Sequence, residues 1–205
     1  MKVLIVTLLL LSNLFSYTVK SGQVPNFNNN GSSSSSVGSE ASKAPTNYYQ
    51  EVTLTPKDIL ITTQKFYDEF KGGQELLKKA EAYLVFPKVY EGGLVVGAKY
   101  GFGALVQNNA IANYYKIFST SVGVQAGIQN YSLIVVFLTK ESVKRFMNKE
   151  EWKISADGEL SFTSWHQGVD INSLDIKKDT IVIPFNNVGL MGGLSFEGTV
   201  FQRLQ

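Results

Sequence analysis

Two periods of apolar residues divide the chain. In the first, Ile59, Thr63, Phe66 and Phe70 recur at helical spacing and make one apolar stripe. Ahead of it, Thr55-Pro56-Lys57-Asp58 is a helix start: a capping hydroxyl, a proline at the first helical position and an acid three residues after the cap. Gly72-Gly73 ends that helix, and "QELLKKAEAY" follows as a short second one, with Leu76, Leu77 and Ala80 inward and Lys78 and Lys79 toward solvent. Beyond Tyr83 the period becomes that of short strands: "AYLVF", "GLVVGAKYGFGALVQ", "NYYKIFSTSVGVQAGIQ", "YSLIVVFL", "TIVIPF" and "VGLMGGLSFEGTVFQRL". Breaks at Gln107-Asn108-Asn109 and at Gln129-Asn130 predict connectors. "TKESVKRFMNK" predicts one internal helix with Val143, Phe146 and Met147 on its apolar face. The expected fold is α+β: a strongly curved, barrel-like antiparallel β-sheet packed with N-terminal helices and one internal helix.

The curvature is read from glycines. Residues 86–103 hold five of the chain's 18 glycines among strand formers. Gly97, Gly101 and Gly103 are spaced G-x-x-x-G-x-G, and strand-like sequence continues on both sides, whereas phosphate-cradling glycines stand between a strand and a helix N-terminus. A transmembrane barrel needs an even series of longer strands, each with an apolar lipid face, and the helices fit it poorly. Alternation instead puts Gly97, Gly101 and Gly103 on one face with Lys99, where they permit close approach of another segment or a sharp bend. Gly123 and Gly127, and then Gly189, Gly192, Gly193 and Gly198, repeat the device.

The N-terminus reads differently. Residues 1–20 place Lys2 before an apolar run over residues 3–11 and then small or polar residues, the layout of a signal peptide. Residues 21–47, rich in Ser, Asn and Gly, predict a disordered tether, and residues 48–205 a single folded domain. Export follows as the expectation, to a periplasm or cell envelope, peripheral to the membrane. A net charge of +2 gives no general basis for nucleic-acid binding, so any anion contact has to come from a local patch. The absence of cysteine excludes disulfides, thiolate zinc sites and a cysteine nucleophile.

Three blocks carry a resemblance: "AYLVFPKVYEGGLVVGAKYGFGALV", "YYKIFSTSVGVQAGIQNYSLIVVFLTKESVKRF" and "VGLMGGLSFEGTVFQ". In order and spacing, from about Leu76 to Gln202, the chain resembles the SYLF domain family, of which it looks like a bacterial stand-alone exported member. The resemblance implies non-catalytic binding of anionic membrane lipids, phospholipid or phosphoinositide-like head groups, with no cofactor and no established catalysis. It also implies a basic N-terminal helix as the lipid contact. Lys71, Lys78 and Lys79 lie in the matching region, with Lys88 and Lys99 close in sequence, and Asp68, Glu69, Glu75 and Glu81 dilute the charge. The lipid-binding candidates are Lys71, Lys78, Lys79 and Lys88; each lysine near an anionic surface contributes about 1 kcal/mol, so attachment by these alone is weak and salt-sensitive. The alternative is an envelope structural or protein-interaction component without specific lipid binding.

Other candidates are thinner. His166, the only histidine, stands beside Trp165 in the least regular stretch, residues 155–179, without a neighbouring nucleophile and carboxylate. Asp157, Asp170, Asp175 and Asp179 lack the alternate-residue spacing of a calcium loop. Lys140, Lys144, Arg145 and Lys149 cover a broad helix face beside Trp152, a second-choice membrane patch with the tryptophan at the interface.

Overall fold

The computed structural model describes residues 17–19, 52–93, 96–122, 127–154, 161–162, 178–188 and 196–205. Helix α1 (Pro56–Glu69) starts as its residues dictate: the Thr55 hydroxyl accepts from the Asp58 N–H at 3.2 Å, and the Asp58 carboxylate accepts from the Thr55 N–H at 2.8 Å. Gly72, at φ +84°, takes the left-handed conformation that lets the chain turn at once into α2 (Gly73–Lys79).

The strands β3 (Ala82–Gly93), β4 (Val96–Gln107), β5 (Ala110–Val122), β6 (Gly127–Phe137), β7 (Glu151–Lys153), β8 (Ser161–Phe162), β9 (Thr180–Val188) and β10 (Val200–Arg203) form one sheet in the order β7-β10-β5-β4-β3-β6-β9-β8. All neighbours are antiparallel except β8, which joins β9 in parallel. A separate two-stranded ladder pairs β1 (Tyr17–Val19) with β2 (Val52–Leu54). Helix α3 (Lys140–Met147) follows β6.

The turn between β4 and β5 lies at Asn108 and Asn109, both at positive φ (51° and 59°), the geometry of a tight hairpin that asparagine tolerates. The break expected at Gln129-Asn130 is absent. Both residues are paired inside β6, Gln129 opposite Glu91 and Asn130 opposite Tyr90, so ladder pairing overrides their preference for turns.

The sheet is strongly curved, as the glycines predict. In a flat sheet β6 and β7, five places apart, would stand about 24 Å from each other. Yet Phe137 of β6 and Trp152 of β7 have ring centroids 6.3 Å apart, and Phe146 of α3 touches both as well as Tyr115 and Phe201. The sheet therefore wraps around α3, which fills its concave side. Leu84, Phe86, Leu105, Ile117, Leu133 and Val135 complete that inner core. Helices α1 and α2 cover part of the convex side, where Phe66, Phe70 and Phe185 stack on Val85, Ala104, Ile134 and Ile183.

Two glycines make the bend. The pairing of β3 slips at Phe86-Pro87 against both of its neighbours, a bulge. Opposite it, a Cβ on Gly101 would come within 2.7 Å of the Lys88 carbonyl, and one on Gly103 would collide with the Val85 carbonyl and the Phe86 ring. The backbone of the bulge thus occupies the space that side chains would take. Gly97 and Gly127 lie in strands, opposite Ser121 and Gly93. Gly198, at φ +72°, belongs to a turn before β10. Gly123, Gly189, Gly192 and Gly193 lie outside the described residues.

Candidate functional site

The four sequence-selected lysines are all exposed, but the fold distributes them over two places. Lys71 follows α1, and Lys78 and Lys79 end α2, where they complement the negative helix terminus. Glu75 and Glu81, also exposed, flank them. Lys88 stands apart on the convex face of β3, six strand residues past Ala82, with its ammonium 4.9 Å from the centre of the Tyr90 ring.

Lys99 does not join them. It is only 2% exposed and lies on the concave face, with its Nζ 3.6 Å from Oε2 of Glu91 and 4.1 Å from the centre of the Phe196 ring. The same Glu91 oxygen accepts a hydrogen bond from the Tyr131 hydroxyl at 3.2 Å. The reason is strand parity: Glu91 and Lys99 are direct partners across β3 and β4, and Gln129 and Ser119 extend the line across β6 and β5. Sequence spacing puts Lys99 on the glycine face correctly, but that face turns inward. Burial lowers the Lys99 pKa to about 8 against the upward pull of Glu91, and burial first, then Glu91, holds the Tyr131 hydroxyl well above the ordinary tyrosine value. Gln129 Oε1, in the same line, is buried without a hydrogen-bond partner.

The basic helix face of α3 is also partly committed. Arg145 donates to the Asp179 carboxylate at 2.6 Å, and Asp179 further accepts from the Thr139 and Thr180 hydroxyls. Burial would raise the Asp179 pKa, but Arg145 and the two hydroxyls bring it below the ordinary value. Asp179 is accounted for as an ion-pair partner of α3. Trp152, expected at an interface, is 8% exposed and packs on Phe137, Phe146 and Phe201, because its place in β7 points it into the concave side. Lys140, Lys144 and Lys149 remain exposed. His166, Trp165, Asp157, Asp170 and Asp175 lie outside the described residues.

Among the described residues, no group of three or more acids or histidines could hold a metal, and no helix is long and apolar enough to cross a membrane. The chemistry that the described surface offers is cationic and aromatic: Lys88 over Tyr90, and on the same face Lys116, with its ammonium 5.3 Å from the centre of the Phe118 ring. Lys116 carries no signal of its own in the sequence; only the register that sets it beside Phe102, and Phe102 beside Lys88, reveals it.

Residues 118–205 match the family model Ysc84, described as "Las17-binding protein actin regulator". The match takes in most of the second sequence block and all of the third, and the first block, with its glycines, precedes it. No curated protein matches the chain.

Proposed function

We propose that the chain, whose residues 118–205 match the SYLF (Ysc84) family model, is a non-catalytic module that binds anionic membrane lipids. Lipid binding is a general role of that family, which is not a known enzyme family. The observation that carries the reading for this chain is the pair of lysines, Lys88 and Lys116, held over aromatic rings on an outward sheet face. Cations beside a tyrosine and a phenylalanine ring suit the boundary between head groups and acyl chains. Lys71, Lys78 and Lys79 add positive charge elsewhere on the surface.

With an N-terminal segment that reads as a signal peptide, the membrane is that of a bacterial envelope, met from the exported side. Cytoplasmic actin is then not the partner, whatever the family description names. A second reading is favoured by that same description, which speaks of protein binding: an envelope component that holds a protein partner without lipid preference.

Vesicle co-sedimentation of the full chain separates the two. The lipid reading expects pelleting with equimolar phosphatidylcholine and phosphatidylserine, little with phosphatidylcholine alone, and weakening as salt rises. Equal pelleting with both, or none with either, would overturn it.

A further inference from the structure

We infer that the convex sheet face beyond the cover of α1 and α2, and not the lysine pair of α2, is the surface that lies on the membrane. The inference rests on the lipid-binding reading and adds the residues and the mode of contact to it.

Two adjacent rows cross this face. In one, backbone partners run Lys153, Val200, Phe118, Tyr100 and Tyr90 across β7, β10, β5, β4 and β3. In the next, they run Glu151, Gln202, Lys116, Phe102 and Lys88 across the same strands. Strand alternation keeps both rows on one face, since the residues between them, Trp152, Phe201, Ile117 and Gly101, belong to the buried concave side. Phe102 reaches the core under the helices, whereas Tyr90, Tyr100, Phe118 and Val200 are only half-buried, and Lys88 and Lys153 are exposed. Across both rows, three lysines stand against one glutamate, Glu151.

Charge and accessible apolar area agree on the occupant. Helix α2 offers two adjacent lysines flanked by Glu75 and Glu81, with its apolar residues Leu76 and Leu77 already spent on the core. The sheet face offers lysines set around rings that keep accessible surface, so it provides attraction to anionic head groups together with apolar area to insert. A bilayer is laterally continuous, and on this curved sheet the groups of adjacent strands, Lys116 and Phe118 of β5 between Val200 of β10 and Tyr100 of β4, are the ones that can meet it together. Half-burial also raises the Tyr100 pKa to about 12, which fits a ring set in partly apolar surroundings.

The test compares vesicle binding by the full chain, by Lys116→Glu with Lys153→Glu, and by Lys78→Glu with Lys79→Glu, with equimolar phosphatidylcholine and phosphatidylserine. Both pairs are surface reversals of equal charge, and circular dichroism checks that each variant keeps its fold. The sheet-face pair is expected to lose roughly tenfold or more in affinity, and the α2 pair to lose clearly less. A Phe118→Ser variant, with no charge change, is expected to weaken binding at high salt, where the electrostatic part is screened. Equal loss from both pairs, or greater loss from the α2 pair, overturns the assignment of the surface while leaving lipid binding intact. Failure of the unsubstituted chain to bind overturns the lipid reading and this inference with it. A change of self-association in the sheet-face pair, without a change in vesicle binding, overturns the inference in favour of a second copy as the occupant.

Discussion

Tyr90, Tyr100, Phe118 and Asn130 line one side of the sheet, and Glu91, Lys99, Ser119 and Gln129, each one position away in the chain, line the other. One side keeps partial access to solvent; on the other, Glu91 and Lys99 are 4% and 2% exposed. Lysine serves both sides in opposite ways. Lys88 is exposed and Lys116 half-buried, and both lie across rings, while Lys99 is buried against Glu91 and Phe196. What decides the role of a lysine here is strand parity rather than local composition. The inner pair constrains the fold, and the proposed lipid contact falls to the outer lysines.

The inner side breaks first. Lys99→Met leaves the Glu91 carboxylate buried without its cation and is expected to cost about 3–5 kcal/mol of unfolding free energy in denaturant titrations. Adding Glu91→Gln is expected to recover most of that loss. If the double variant is as unstable as the two single losses added together, Glu91 and Lys99 are not a coupled pair.

Next comes the bend that separates the two sides. Gly103→Ala puts a methyl group into the Val85 carbonyl and the Phe86 ring, and the neighbour that has to move is largely backbone. A loss of about 2–4 kcal/mol is expected, as for overpacking with backbone displacement. A Gly103→Ala variant as stable as the parent would show that the bulge does not depend on this glycine.

A smaller effect is the pH dependence. The Lys99 pKa falls to about 8 in the folded chain from 10.5, so between these values the unfolded chain binds more protons and folding stability rises with pH. The gain attributable to Lys99 is about 1–3 kcal/mol, best read below pH 10, where unfolded tyrosines begin to ionise and reverse the slope through groups such as Tyr131. Comparison with the Glu91→Gln, Lys99→Met double variant checks this: its stability is expected to be flatter over the same range. An identical slope in both would locate the titration elsewhere.

Much of the fold was legible because the informative residues act locally. Thr55, Pro56 and Asp58 cap α1 by bonds within one turn, and Asn108 and Asn109 make their hairpin from their own tolerance of positive φ. Strong curvature could be read from the spacing of Gly101 and Gly103, although what fills their space, the bulge at Phe86-Pro87, could not. Non-local facts were hidden. The inward turn of the glycine face buries Lys99, ladder pairing keeps β6 continuous through Gln129 and Asn130, and the wrapping of the sheet draws Trp152 into the core. Of the candidate site, Lys88 was visible as a charge, but its companions Lys116, Lys153, Tyr100 and Phe118 come together only through the register of five strands.

The central claim, that the outer row meets the membrane and the inner row does not, is tested most directly by a Tyr100→Trp variant mixed with anionic vesicles carrying acyl chains brominated close to the head group. Against the background of the unsubstituted chain, the account predicts a blue-shifted emission from the new indole and its quenching by the brominated lipid. An emission unchanged by vesicles that demonstrably pellet the protein would contradict it.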